Sequence, residues 1–126
     1  MSEPIVFMSR NRVKAGKLEE FKMLYRAGVE KFGREKPGTV AFLAYASDDG
    51  DEVSIVHVFP DADAMDRHME GVAERSQEAF QFIESAGFDI YGAPSDRVLQ
   101  MMKQSGVPLS VRPQLLGGYL RLVAGR

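Results

Sequence analysis

The hydrophobic positions change period repeatedly along the first half of the chain, and each change predicts an element. From Pro4 to Arg12 the residues alternate, with Ile5, Phe7, Ser9 and Asn11 on one face and Val6, Met8, Arg10 and Arg12 on the other. Apolar residues open both faces, which predicts a strand covered on two sides and central in its sheet. Ala15-Gly16 interrupts the extended run. From Lys17 the spacing lengthens to three and four: Leu18, Phe21, Tyr25, Val29 and Phe32 form the stripe of an amphipathic helix. Glu19 and Glu20 near its start and Lys31 near its end suit the helix dipole. Gly33 is placed for a left-handed cap, and Pro37-Gly38 keeps the helix from resuming. Thr39 to Ala46 reads as a second strand and Val53 to Phe59 as a third. The Asp-Gly turn between them tolerates the positive φ that tight hairpins demand.

Pro60 stops the third strand, and Asp61 and Asp63 open a helix near residue 62. Met65, Met69, Val72, Ala79 (or Phe80) and Ile83 read as its buried stripe, with Gly87 as its end. Phe88 to Tyr91 is then a short strand, Ser95 an N-cap for a helix from Asp96 to about Lys103, and Pro108 to Leu122 an extended segment. Pro113 confines that segment to an edge or a bulge. Whether the fourth strand is 88–91 or lies after Pro108 is open at this level. The order of elements predicts an α+β chain with a ferredoxin-like split βαβ arrangement, an extra C-terminal helix and an extended strand, in one domain spanning 1–126.

One sheet face is covered by the chain's own helices. The other carries Val6, Met8, Leu43, Tyr45, Val56 and Val58, an apolar patch larger than a monomer ordinarily exposes. A second copy packed sheet to sheet would cover it, which predicts a homodimer with the segment after Pro108 contributing to the interface. Charge is uneven: residues 1–38 carry +4, residues 39–85 carry −9 and residues 86–126 carry +3, for a net −2. The acidic middle and basic ends are solvated faces or partners across a subunit interface. A sequence pI near 5.7 and the lack of a basic stripe with interleaved aromatics argue against nucleic-acid binding.

No apolar run is long enough for a membrane helix, and Met1-Ser-Glu-Pro begins no apolar signal segment, so a cytoplasmic location is the expectation. Cysteine is absent, which removes disulfides, thiolate catalysis and cysteine metal sites together. The two histidines, His57 on the third strand and His68 on the following helix, make no convincing metal site without a third ligand. His57 reads as a structural histidine on an unassigned sheet face. His68 borders the stripe of Met65, Met69 and Val72, and so faces the space between helix and sheet. Asn11 continues the face of Ile5 and Phe7, while Arg10 and Arg12 point the other way. No nucleophile triad, phosphate loop or dinucleotide fingerprint is present, and Gly117-Gly118 is a bare pair.

The order of elements from Ile5 to Met69, with its joints at Val13 to Phe21, Lys36-Pro-Gly38 and Val56 to His68, resembles the antibiotic-biosynthesis-monooxygenase-like branch of the dimeric α+β barrel proteins. The resemblance covers about residues 4–85. It implies a dimeric barrel and, as the most concrete activity, cofactor-independent oxygenation of a small aromatic or quinol-like metabolite. Such chemistry wants a dry pocket, a proton acceptor and a donor to a developing oxyanion. His68 is the candidate acceptor and Asn11 the candidate donor, with Tyr25, Phe7 and Phe59 as candidate substrate contacts and no cofactor or metal. Haem-degrading relatives share the asparagine at Asn11, but place a tryptophan where His68 stands and an iron-binding histidine near Glu78, so the resemblance does not extend to haem degradation. The lack of tryptophan and of a strong acid–base pair favours the rival reading, a non-catalytic small-molecule-binding or structural homodimer.

Overall fold

The computed structural model describes residues 3–122. Five strands form one sheet: β1 (Ile5–Val13), β2 (Ala41–Ala46), β3 (Glu52–Phe59), β4 (Ile83–Tyr91) and β5 (Leu109–Arg112). Four helices accompany them: α1 (Leu18–Glu35), α2 (Ala62–Met69), α3 (Val72–Ala79) and α4 (Asp96–Gln104). The strand order is β2-β3-β1-β4-β5. The first four strands pair antiparallel, and β5 joins β4 in parallel. This is the expected ferredoxin-like α+β arrangement with β1 at its centre, extended by α4 and an edge strand. The fourth strand is therefore Ile83–Tyr91, and the segment after Pro108 supplies a fifth rather than replacing it.

The caps follow the sequence. Asp61 accepts from Ala64 N at 2.8 Å and Ser95 Oγ accepts from Val98 N at 3.2 Å, opening α2 and α4. Ser95 Oγ also donates to Asp66 Oδ1 at 2.6 Å, tying the start of α4 to the middle of α2. The Asp49-Gly50 turn closes with Gly50 N donating to Ser47 O at 3.0 Å.

Three expectations are corrected. Gly33 lies inside α1, whose backbone runs on until Lys36 N donates to Phe32 O; Lys36-Pro37 rather than a glycine ends it. The long second helix is two helices, because Gly71 sits at φ +77° between Met69 and Val72 and turns the chain out of the helical path. Ile83 and Gly87 belong to β4, not to that helix. Their apolar spacing is real but arises from a strand whose register shifts opposite Arg10 and Asn11. Arg10 pairs with Gly87 and Asn11 with Ser85, so Ala86 is the extra residue of a bulge. Gly87 leaves room for the Arg10 guanidinium, which pairs with Asp89 at 2.8 Å.

The side facing the helices carries two core clusters. Ile5, Phe7, Phe59, Met65, Met69, Ile90, Val98 and Met102 form the larger, and Phe21, Val53 and Ile83 the smaller. The opposite face is built from Val6, Met8, Leu43, Val56 and Val58, aligned by the register. Leu43 and Tyr45 on it are 46% and 62% exposed, so this apolar face lacks full cover among the described residues. At the end of β4, Gly92 adopts φ +116°, and a Cβ there would lie 2.8 Å from Pro4 O and 3.1 Å from Ile5 Cγ1. Gly92→Ala is therefore expected to destabilise the fold by roughly 1–3 kcal/mol, read as a lower urea midpoint at unchanged slope.

Candidate functional site

A cleft of about 880 Å3 separates the helices from the sheet. Both core clusters contribute to its walls, Phe7, Met69 and Met102 from one and Phe21 and Ile83 from the other. Asn11, Tyr25, His57, His68 and Arg75 supply most of the chemistry that faces it.

β1 and β3 set the floor. Phe7 and His57 are register partners, and β2 brings Phe42 to the other side of His57. His57 thus occupies the helix-facing side of the sheet, stacked on Phe7 at 4.8 Å between ring centroids. Its Nδ1–H donates to Phe7 O at 3.0 Å, which leaves Nε2 as a lone-pair acceptor. α2 places His68 above it, with ring centroids 5.1 Å apart and the rings nearly perpendicular. Phe32, Phe42 and Phe59 surround His68 at 5.3–5.6 Å, and the Thr39 hydroxyl lies 2.7 Å from its Nδ1.

Burial in this aromatic cage depresses both imidazoles. His57 falls to about 4, chiefly by loss of water, with the Arg75 charge adding to it against the Phe7 carbonyl. His68 falls to about 3 by burial first, then by His57, Arg75 and Lys36. Both are neutral in the empty cleft at neutral pH.

Asn11 is buried on the same side of the sheet, four residues along β1 from Phe7 and hence roughly 13 Å from it. The two candidate groups border one cleft, at separate stations along it. Asn11 Nδ2 lies 3.2–3.3 Å from Ser9 O, Ser9 Oγ and Val53 O, long contacts shared among three acceptors. Tyr25 projects from α1 between Phe21 and Phe42, and its buried hydroxyl has no hydrogen-bond partner among the described residues. Burial, then Tyr45, pushes that phenol well above its ordinary range, so it stays a donor. Phe7 lines the cleft. Phe59 does not: it is fully buried and backs His68 from the core.

Sequence reasoning passed over two residues of this constellation. His57 carried a signal, since its parity on β3 could be matched to Phe7 once the register was known. Arg75 carried none, because the break at Gly71 rotates α3 away from the stripe that a continuous helix would extend. Glu78 also lines the cleft. Among the described residues no group of three or more metal-ligating side chains is present, and no helix is long and apolar enough to cross a membrane.

The family model for antibiotic biosynthesis monooxygenases matches residues 4–82. The chain belongs to the antibiotic biosynthesis monooxygenase family. The expected kinship therefore holds, and its limits agree with the span over which β1 to β3 and the cleft helices α1 to α3 are found. No curated protein matches the sequence. Among solved structures, the family fold is shared with MupZ from Pseudomonas fluorescens at TM-score 0.75 and 20% identity, covering 94% of this chain and 91% of that one. SnoaB, a cofactor-independent oxygenase from Streptomyces nogalater, aligns at TM-score 0.61 and 21% identity over 75% of this chain and 96% of its own. A conserved protein from Methanosarcina mazei aligns at TM-score 0.62 and 20% identity over 71% and 92%. At these identities the likeness concerns the fold.

The two imidazoles make stability depend on pH in a defined direction. In the unfolded chain both titrate near 6.5, whereas the folded chain resists protonating them until about 4 and about 3. Their contribution is complete above pH 6.5 and is lost as pH falls toward those values. At pH 5 the loss is about 2 kcal/mol for each histidine. His68→Phe should accordingly lose less stability than the wild type between pH 7.5 and 5.0, measured by urea unfolding at each pH. Equal losses in the two proteins would show that His68 is not held neutral by the fold.

Proposed function

We propose that this protein is a cofactor-independent monooxygenase that acts, as a homodimer, on a small aromatic or quinol-like metabolite. The observation that carries the reading is the apolar cleft with two neutral imidazoles and a buried, unpartnered phenol on its wall. Membership of the family and the shared fold with an oxygenase described as cofactor-independent support it.

In this reading a phenolic substrate gives its proton to His68, backed by His57 Nε2. An imidazole held near 3 is a weak base, and the anion formed beside it stabilises the imidazolium by charge pairing. The substrate anion passes one electron to dioxygen, and the resulting radical and superoxide join as a carbon-bound peroxide, which takes the proton back from His68 to become a hydroperoxide. Loss of water, taking the ring C–H proton and one oxygen, leaves the second oxygen as a carbonyl. Phenol and dioxygen thus become quinone and water. Asn11, by exchanging its long internal contacts for a ligand oxygen, and the Tyr25 hydroxyl supply hydrogen bonds to the developing charge. Phe7 packs the ring.

Protein-stimulated oxygen uptake across a panel of tricyclic phenols and quinols tests the reading, with one labelled atom from 18O2 entering product and the other entering water. His68→Ala and Asn11→Ala should each lower kcat by about 10²–10³-fold while leaving the fold intact by circular dichroism. Tight binding of such phenols with no stimulated uptake would instead support the rival reading, a binding module.

The homodimer is supported by the uncovered apolar face. Val58→Asp would place a carboxylate in the proposed sheet-to-sheet contact without a partner. Sedimentation should show a wild-type dimer and a dissociated or unfolded variant; a stable wild-type monomer at micromolar concentration would contradict the assembly.

A further inference from the structure

Arg75 is a charge on the cleft wall with which no carboxylate pairs among the described residues. It stems from the first half of α3, lines the cleft and is drawn partly out of water, which lowers its pKa through burial. Its terminal nitrogens donate to His68 O at 2.7 Å and Glu70 O at 2.5 Å, the carbonyls at the C-terminal end of α2. Its guanidinium carbon lies 4.8 Å above the Phe32 ring. Those contacts fix the group in place but spend only two of its five N–H donors. Among the described residues it enters no ion pair. Other charges line the same cleft, Lys31 from α1, Glu78 from α3, and Lys14 and Glu84 from the sheet side.

We propose that Arg75 is the anchor for a carboxylate on the ligand, so that the metabolite taken by this cleft is an aromatic acid. The inference deepens the functional reading above and rests on it for the identity of the cleft as the substrate site. The guanidinium is fixed by these contacts and keeps N–H donors from which a carboxylate accepts charge-assisted hydrogen bonds. A neutral phenol could not serve this purpose, because its ordinary pKa near 10 leaves it uncharged on arrival at neutral pH. A carboxylate arrives charged and repays the desolvation of the guanidinium. The aromatic rings then lie along Phe32 and Phe7, which line the same cleft. Anchoring has a consequence for His68. The Arg75 charge is one of the influences holding that imidazole neutral, and a carboxylate paired with Arg75 offsets it, so binding of the acid makes the proton acceptor more basic.

Isothermal titration at pH 7.5 with 2-naphthoate and with the neutral 2-naphthalenemethanol tests the proposal directly. The wild type should bind naphthoate at least tenfold more tightly, with the preference shrinking as salt is raised. R75Q should bring naphthoate down to the affinity of the alcohol while leaving the alcohol within about twofold, and R75K should retain part of the preference. Because Arg75 also holds the end of α2, melting of each variant is followed in parallel; if R75Q unfolds, R75K and the salt dependence of the wild type decide. Equal affinity for the two probes, no naphthoate binding up to millimolar concentration, or an equal loss for both probes in R75Q would overturn the anchor. Naphthoate discrimination without oxygen uptake by any hydroxylated aromatic acid would leave the anchor standing and remove the oxygenase reading. Rapid uptake with neutral phenols, unchanged in R75Q, would do the reverse.

Discussion

His57 and His68 stand 5.1 Å apart inside a cage of phenylalanines, and burial there disfavours a proton on either ring. Each imidazole is excluded from water, and each would repel the other once charged. Their hydrogen bonds are spent on fixed partners, the Phe7 carbonyl and the Thr39 hydroxyl, which lock the rings rather than solvate a charge. Phe42 packs against both rings, so β2 contributes a wall of the site as well as an edge of the sheet. The helix ends obey the same constraint. Arg75 satisfies the last carbonyls of α2, and that keeps His68 in position at the cost of bringing a positive charge near it. Neutral imidazoles, a protonated phenol and an unpaired guanidinium together make a wall that favours negative charge in the ligand.

Much of this was legible in the chain, and the reasons are specific. Alternation along β1 placed Ile5, Phe7 and Asn11 on one face and Val6, Met8 and Arg10 on the other, because strand parity is a local property once one face is known to be buried. The spacing of His68 between Met65 and Val72 placed it toward the sheet for the same reason. Asp61 and Ser95 announced their helices, since a side-chain cap depends on the nearest four residues alone. His57 illustrates the limit. Its parity on β3 was visible, but its face became defined only through pairing with Phe7, fifty residues away in sequence.

Two places misled the reading because their geometry depends on a single residue acting against the surrounding pattern. The run from Ala62 to Ile83 has helical spacing almost throughout, yet Gly71 takes φ +77° and divides it. A glycine inside a helical pattern is compatible with both a continuous helix and a break, and tertiary packing decided for the break. The consequence is functional as well as geometric, since the reorientation brings Arg75 to the cleft. Phe59 misled in the opposite way. Its apolar character suited a ligand contact, but with no exposed surface it supports His68 from behind.

The bulge at Ala86 shows how one extra residue separates the two faces of this sheet. Phe88 and Ile90 point toward the helices, and strict alternation would continue that face through Ala86 and Glu84. The register shift between Arg10 and Asn11 moves the face to Ser85 and Ile83 instead. Ile83 thereby completes the core beneath Phe21, and Ser85 joins the cleft wall near Asn11. Glu84 is turned outward enough to meet Arg12 at 3.5 Å, on the side where Arg10 meets Asp89. Without the bulge a carboxylate would enter the smaller core cluster and its arginine partner would be left behind. The same shift therefore gathers the ion pairs of β1 and β4 on the opposite face, beside the apolar surface of Val6, Met8, Val56 and Val58. That face combines an apolar centre with charged residues at one margin, and in the proposed sheet-to-sheet contact those charges would fix the register of the two copies.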